Sequence, residues 1–207
     1  VITIACVLKS GGDFDAEDVR ELRDQVADNL KRPHTFICLS DVEIEGVQTV
    51  VLRHGWPGWW SKIELFRPDI FDGPVLYFDL DTWIVGSLDP IVDALPAWGM
   101  LSDFYRPDRV ASGVMSFRPN VLTYAVYADF VRGAAVIIRS QSGDQDFLQF
   151  AGTSAVRFQD AFPGRFVSWK EHCAKTRDAA KARTGTIPEG AAVVCFHGKP
   201  RPWEVEL

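Results

Sequence analysis

With 207 residues, 47% of them apolar and 24% charged, the chain has the size and make-up of one soluble globular domain with room for a substantial core. A formal charge of -6 argues against a nucleic-acid partner, because phosphate binding usually leaves a basic footprint. No uninterrupted apolar stretch approaches the roughly 18 residues that span a bilayer, so no transmembrane segment is expected.

Residues 1–8 are too short, and lack the basic flank, for a signal peptide; they read as a buried first strand. Cys6, Cys38, Cys173 and Cys195 are scattered without a C-x-x-C pair, three of them inside apolar runs. Those three, Cys6, Cys38 and Cys195, are expected as small core residues, and neither disulfides nor a thiolate zinc site is expected, which gives a cytoplasmic reading.

After the first strand, residues 9–13 form a polar glycine turn. Val19, Leu22, Val26 and Leu30 recur at spacings of three and four, predicting an amphipathic helix over 15–30 with Asp15 and Asp18 at its N-cap and Pro33 beyond its end. Strands follow over 35–39 and 47–52. Strand, helix, strand predicts an α/β fold opening on a parallel sheet, and such sheets bind ligands beyond the carboxyl ends of their strands. Lys9, Ser10, Gly11, Gly12, Ser40 and Asp41 then lie at the binding edge. Neither a G-x-G-x-x-G nor a Walker pattern is present.

The loop His54-Gly55-Trp56-Pro57-Gly58-Trp59-Trp60 offers three tryptophans, either to stack on a base or sugar ring or to cover the edge of the core; the covering role is expected for two of the three. A short helix is predicted over 61–66, with Lys62 near its start. Then comes Val75-Leu76-Tyr77-Phe78-Asp79-Leu80-Asp81, an apolar strand ending in two carboxylates spaced i, i+2. In a strand these share one side. Two such anions repel unless a cation lies between them, and oxygen ligands suit a hard divalent ion. The competing reading is a pair of strand-end aspartates capping a turn.

Apolar residues resume over 82–85 as a short strand, and a turn at 86–90 enters a helix. Strands are predicted over 99–103 and 112–119, the second ending at Pro119, and they are separated by the charged loop Arg106-Pro107-Asp108-Arg109. Residues 122–131 have helical periodicity, Asp144-Gln145-Asp146 opens a capped helix, and 155–158 is a short strand. The basic run 172–187, with Lys175, Arg177, Lys181 and Arg183, reads as a solvated helix or loop. A strand over 191–196 leads into His197-Gly198-Lys199-Pro200-Arg201-Pro202-Trp203. There are no repeats, low-complexity segments or linkers, so 1–207 is read as a single domain.

In this order, the strand ending D-x-D, the Ser112-Gly113-Val114 strand, Asp144-Gln145-Asp146 and the terminal histidine segment resemble nucleotide-sugar glycosyltransferases of the A-type fold (GT-A). The resemblance is strongest to the retaining family 8, which includes glycogenin and galactosyltransferases of lipooligosaccharide synthesis. That family carries L-Y-x-D-x-D, N-x-G-V, D-Q-D and a terminal H-x-x-G-x-x-K-P-W. The resemblance implies a single-domain, Rossmann-like GT-A fold with a mixed, mainly parallel sheet flanked by helices. It also implies transfer of a sugar, with retention, from a UDP-sugar to a sugar, lipid-linked or protein acceptor.

Asp79 and Asp81 are then metal ligands, with His197 as the third, for Mn2+ (or Mg2+); imidazole shifts the preference towards Mn2+. Lys199 and Gly198 are implied at the donor diphosphate. Asp144 and Gln145 face the anomeric carbon of the donor sugar, and Leu80 turns back to the core. Asp103 and Lys62 match positions near the donor sugar and phosphate, and Asp41 matches the aspartate at the base. Ser112 stands where the family has asparagine, beside Gly113, and the terminal segment is compressed. Alternatives are an inverting glycosyltransferase or a nucleotidyltransferase on the same fold, with Asp144 or Asp146 recruited as base, and a non-catalytic nucleotide-sugar binding protein.

Overall fold

The structure, a computed structural model, describes residues 1–174, 178 and 181–206. Lys175 and Arg177 of the basic run lie outside the described residues. The chain opens as expected with β1 (Ile2–Leu8), α1 (Ala16–Asn29), β2 (His34–Ser40) and β3 (Gln48–Val51). Helix α1 starts where its caps say it should. Asp15 accepts from the Glu17 N–H at 2.7 Å, and Asp18 accepts from the Asp15 N–H at 2.7 Å, a reciprocal capping box. Its apolar stripe of Val19, Leu22 and Val26 is buried.

A 3-10 helix, Gly58–Phe66, precedes β4 (Val75–Phe78). There follow β5 (Thr82–Ile84), α2 (Asp89–Asp93), β6 (Trp98–Ser102), β7 (Val110–Phe117), α3 (Val121–Ser140), α4 (Asp144–Gly152) and β8 (Val156–Arg157). The last elements are α5 (Phe158–Ala161), β9 (Phe166–Ser168), a π-helical turn at Trp169–Cys173, β10 (Val193–Cys195) and a 3-10 turn at Pro202–Glu204.

The main sheet has seven strands in the order β3-β2-β1-β4-β7-β6-β8. Strands β3, β2, β1 and β4 run parallel, while β7 runs antiparallel to both β4 and β6. The sheet is therefore mixed and mainly parallel. Strand β4 is enclosed on both faces, with all four residues buried, as its unbroken apolar run requires. Alternation sorts the core into two layers. Ile4, Cys6, Leu76 and Phe78 pack with Val19 and Leu22 of α1 on one face. Ala5, Val75 and Tyr77 pack with Ile63, Phe66 and Phe130 on the other. All four cysteines are free and buried, as expected for Cys6, Cys38 and Cys195; Cys173, in the run expected to be solvated, is buried as well.

Three expectations need correction. The segment after Asp81 does not stay in the main sheet: β5 pairs antiparallel with β10, which pairs parallel with the unanticipated β9. Residues 155–158 divide into the two-residue β8 and the start of α5. Helix α3 runs to Ser140, well past 131, and has a mean hydropathy of 1.6 over its best window. Helix α3 is long and apolar enough to cross a membrane, by length and composition alone, although Asp129, Arg132 and Arg139 interrupt its apolar run. Its Phe130 packs against Trp60 of the 3-10 helix, ring centroids 5.3 Å apart.

Candidate functional site

One cavity of about 570 Å³ opens at the carboxyl ends of β1 and β4 and reaches α4. Asp79 and Asp81 both line it, Asp79 just past the end of β4 and Asp81 in the turn that follows, while Leu80 between them packs into the core at 9% exposure. Gly113 of the neighbouring β7 fixes Asp79 from the side, its carbonyl accepting the Asp79 N–H at 2.8 Å. A methyl group at Gly113 would stand 3.5 Å from Asp79 Oδ2, so a small residue keeps space open beside that carboxylate.

Lys62 enters from the 3-10 helix and is almost wholly buried. Its Nζ lies 2.9 Å from Asp79 Oδ1, 3.1 Å from Asp144 Oδ2 and 3.3 Å from Ser112 Oγ. Ser112 in turn donates to Asp144 Oδ2 at 2.7 Å, and the Tyr77 hydroxyl donates to Asp79. Burial disfavours the charge on Lys62, but Asp144 and Asp79 outweigh it and hold the amine above the usual lysine range. Asp79 goes the other way. Burial pushes it up to about 6 against the pull of Lys62, with the charges of Asp81 and Asp144 adding to the rise. Burial also raises Asp81, against Arg201 and the Gly198 N–H. The two carboxylates are thus under-compensated by resident cations.

At the α4 end, Gln145 Nε2 donates to Asp103 Oδ2 at 3.1 Å. The N–H groups of Tyr105 and Arg106 bind the other oxygen of Asp103 at 2.9 and 3.1 Å; burial opposes its charge, but these donors lower its pKa. At the β1 end, Lys9 lines the cavity and pairs with Asp41, while Ser10 donates to Asp41 through both its N–H and its hydroxyl at 2.8 Å. Ser10 and Asp41 do not line the cavity; they latch the β1 loop behind it. Burial works against the Asp41 charge, yet Lys9 and Ser10 bring it down to about 2.

The terminal segment departs most from expectation. His197 lines the cavity, but its Nε2 is 2.6 Å from Ser168 Oγ and its ring stacks on Phe104, centroids 5.6 Å apart. It does not converge with Asp79 and Asp81, and among the described residues no group of three metal-binding side chains does. Burial and the charge of Lys170 lower His197 to about 4, so the imidazole is neutral near pH 7, the form that binds metal. Gly198 acts through its backbone, its N–H reaching Asp81 Oδ2 at 3.4 Å.

Lys199 is not at the cavity: its side chain is 60% exposed and faces Glu204 at 3.6 Å. Arg201 takes the inner position instead, its Nη1 3.4 Å from Asp81 Oδ2, its Nη2 2.7 Å from Asp13, and its guanidinium 4.8 Å above the Phe14 ring. Sequence reasoning missed Arg201 although a signal was present. Arg201-Pro202-Trp203 repeats the basic-Pro-Trp order of the family's K-P-W, which Lys199-Pro200 only partly does. Tyr77, which donates to Asp79, was also missed although it is the tyrosine of L-Y-x-D-x-D; Lys170 was missed and no motif marks it.

Of the three tryptophans, Trp60 is buried and Trp56 packs on His54 and Phe130, as expected for two of the three. Trp59 is the third, 59% exposed and on the cavity wall.

The mixed sheet, with paired aspartates at the carboxyl end of a central strand, gives this chain the glycosyltransferase A-type fold. Solved structures share it. An active-site mutant of LgtC matches with a TM-score of 0.64 at 14% identity, over 97% of this chain and 89% of that one. The galactosyltransferase LgtC in complex with donor and acceptor sugar analogues matches at 0.61 and 14% over the same shares. The glycosyltransferase GlyE of Streptococcus pneumoniae TIGR4 matches at 0.57 and 12%, over 78% of this chain and 46% of that one. No family model matches the chain. By sequence, it is 30% identical over 113 residues to a UPF0060 membrane protein of Paenarthrobacter aurescens (strain TC1), a match spanning 94% of that protein and 44% of this chain. More than half of the chain lies outside that match.

Proposed function

We propose that the chain, as one catalytic domain, is a metal-dependent glycosyltransferase that moves a sugar from a nucleotide-sugar donor, a UDP-sugar, to a hydroxyl acceptor with retention. The observation that carries the reading is the under-compensated pair Asp79 and Asp81, in a cavity at the strand ends of a fold shared with solved glycosyltransferases. Two carboxylates with open space beside Gly113 suit a hard divalent cation, Mn2+ or Mg2+. Asp79 and Asp81 would hold the ion; His197, the third ligand that the resemblance implies, would have to leave Ser168 and Phe104 to reach it. Bound there, the ion supplies positive charge where negative charge develops on the departing diphosphate.

The chain's own residues supply the rest. Arg201, held by Asp13 and Phe14, aims a fixed guanidinium at the diphosphate, a better phosphate partner than the exposed Lys199. Lys62 holds Asp144 in place from 3.1 Å, where its carboxylate would steady an oxocarbenium-like state on the face the acceptor also approaches. Gln145 and Asp103, bonded to one another, hold the sugar hydroxyls. An inverting reaction needs a free general base. Asp146 is spent on Arg109 at 2.6 Å, and Asp144 is shared by Lys62 and Ser112, which favours retention.

A thermal-shift screen of UDP- and GDP-sugars, with and without Mn2+, tests the reading, followed by Mn2+-dependent hydrolysis of whichever donor binds. Stabilisation by a nucleotide sugar that ignores both Mn2+ and Asp81→Ala would remove the metal site. Binding without turnover would make the chain a nucleotide-sugar binding protein, the reading favoured by the turned-away ring of His197.

A further inference from the structure

The donor reading leaves Trp59 unused. In the Gly58–Phe66 helix every residue from Trp60 onward is buried, and Trp59 alone of the three loop tryptophans gives its indole to the cavity. An aromatic side chain carries a large apolar surface, and leaving 59% of it in water forgoes stabilisation that the adjacent core was placed to take. Its Nε1 edge lies over Gly143, where an added methyl group would meet it at 3.3 Å. A side chain at position 143 would press on the indole, which would have to give by a few tenths of an ångström.

Position across the sheet identifies what the ring meets. Lys9 and Phe14 follow β1, Asp79 ends β4, Ser112 lies on β7 and bonds Asp144, and Gly143 with Trp59 comes next beyond Asp144. With the diphosphate over Asp79 and Asp81 and the nucleoside towards β1, the transferred sugar lies by Asp144. Trp59 then stands on its far side, at the exposed rim.

We infer that Trp59 is the platform for the acceptor, and that the acceptor presents a pyranose ring whose C–H face stacks on the indole. This rests on the donor reading for its direction, but not for the stacking itself. A flat, rigid, half-exposed aromatic beside polar Gln145 and Asp103 suits a ring with an apolar face and a hydroxyl edge.

The test uses the full chain with labelled indole nitrogens, UDP and Mn2+, titrated with methyl β-galactopyranoside, methyl α-glucopyranoside and, as an open-chain control, mannitol. The Trp59 N–H signal, assigned by its loss in Trp59→Phe, is expected to shift with a pyranoside and not with mannitol. Trp59→Ala should weaken pyranoside binding about tenfold and Trp59→Phe only about threefold. Phe150→Ala, an exposed aromatic outside the cavity, should leave it unchanged. No pyranoside shift at Trp59, or equal binding by Trp59→Ala, overturns the inference. A shift produced by the UDP-sugar alone overturns the acceptor assignment. Pyranoside binding at Trp59 in a protein that binds no nucleotide would sink the donor reading while leaving the stacking platform standing.

Discussion

Replacing Lys62 by methionine removes a buried cation and leaves its stem volume nearly filled. The amine stands 2.9 Å from Asp79 and 3.1 Å from Asp144, with Lys62 and Asp144 at 6% and 8% side-chain exposure. Breaking a buried pair from one side costs roughly 3–5 kcal/mol, because the remaining charge is left uncompensated. Here Asp79 is 29% exposed and already lies near 6, so it can take up a proton and relieve part of that cost. A loss of about 3 kcal/mol at pH 7.5 is expected, or roughly 6–12 °C in Tm for a chain of this size. The pH dependence has a definite sign. A carboxylate whose folded pKa is raised destabilises the fold at pH values above it and costs nothing below its unfolded value. Without Lys62, Asp79 rises further, so the deficit of the variant should shrink as pH falls towards 4 and widen from 6 upward. Urea unfolding at pH 5 and 7.5 reads this directly. A deficit under about 1 kcal/mol at pH 7.5, or one independent of pH, would refute the role of Lys62 as internal counter-ion.

The same charge balance predicts that Asp79→Asn stabilises the metal-free protein at pH 7.5 by about 1–2 kcal/mol, discounted for partial exposure, while abolishing Mn2+-dependent donor hydrolysis. That gain should vanish below pH 4, and parallel melts and assays check both halves. Arg201→Ala is expected to lower donor hydrolysis at least tenfold, whereas Lys199→Ala, which loses only an exposed pair with Glu204, stays within about twofold; steady-state kinetics decide between them. Asp41→Asn should cost about 1–2 kcal/mol at pH 7, because the Asp41 pKa is depressed to about 2. This contribution is present above the unfolded value and is lost as pH falls through 4 to 2, so wild-type and variant melts should converge in acid.

What was legible in the sequence is what local pattern controls. Helix α1 followed from its apolar spacing and capping aspartates, and β4 with its two carboxylates from an unbroken apolar run. Asp103, Lys62, Ser112 and Asp144 were singled out only because a resemblance ordered them; nothing local says that Ser112, 50 positions on, and Asp144, further on still, meet at the amine of Lys62. The second sheet was less legible, since β5 and β9 are three residues each, too short to show a period. The terminal segment was misjudged in register. His197 at φ 35° and Gly198 at φ 100° turn the backbone through left-handed conformations, and beyond them Lys199 faces Glu204 and Arg201 faces Asp81. The orientation of His197 depends on Ser168 and Phe104, both distant in sequence, and Ser168 sits on β9, which spacing did not reveal.

On the proposed reading, the charges lining the cavity would set the order in which metal and nucleotide bind. Five carboxylates (Asp13, Asp79, Asp81, Asp103 and Asp144) face three cations (Lys9, Lys62 and Arg201), leaving a net charge of two negatives with His197 neutral. An anionic diphosphate is repelled by that wall, and a divalent cation cancels it. One substitution should therefore act with opposite signs in two conditions. Without metal, Asp81→Asn removes one repelling charge within a few ångströms of the diphosphate, and UDP should bind more tightly, by on the order of tenfold. With Mn2+ present the same change removes a ligand, and UDP should bind more weakly than to the wild type. Calorimetric titration of UDP, in Mn2+ and in chelator, measures both. If Asp81→Asn weakens UDP equally in the two conditions, Asp81 holds the nucleotide through the fold alone and not through charge. If it strengthens UDP in both, the carboxylate is no metal ligand.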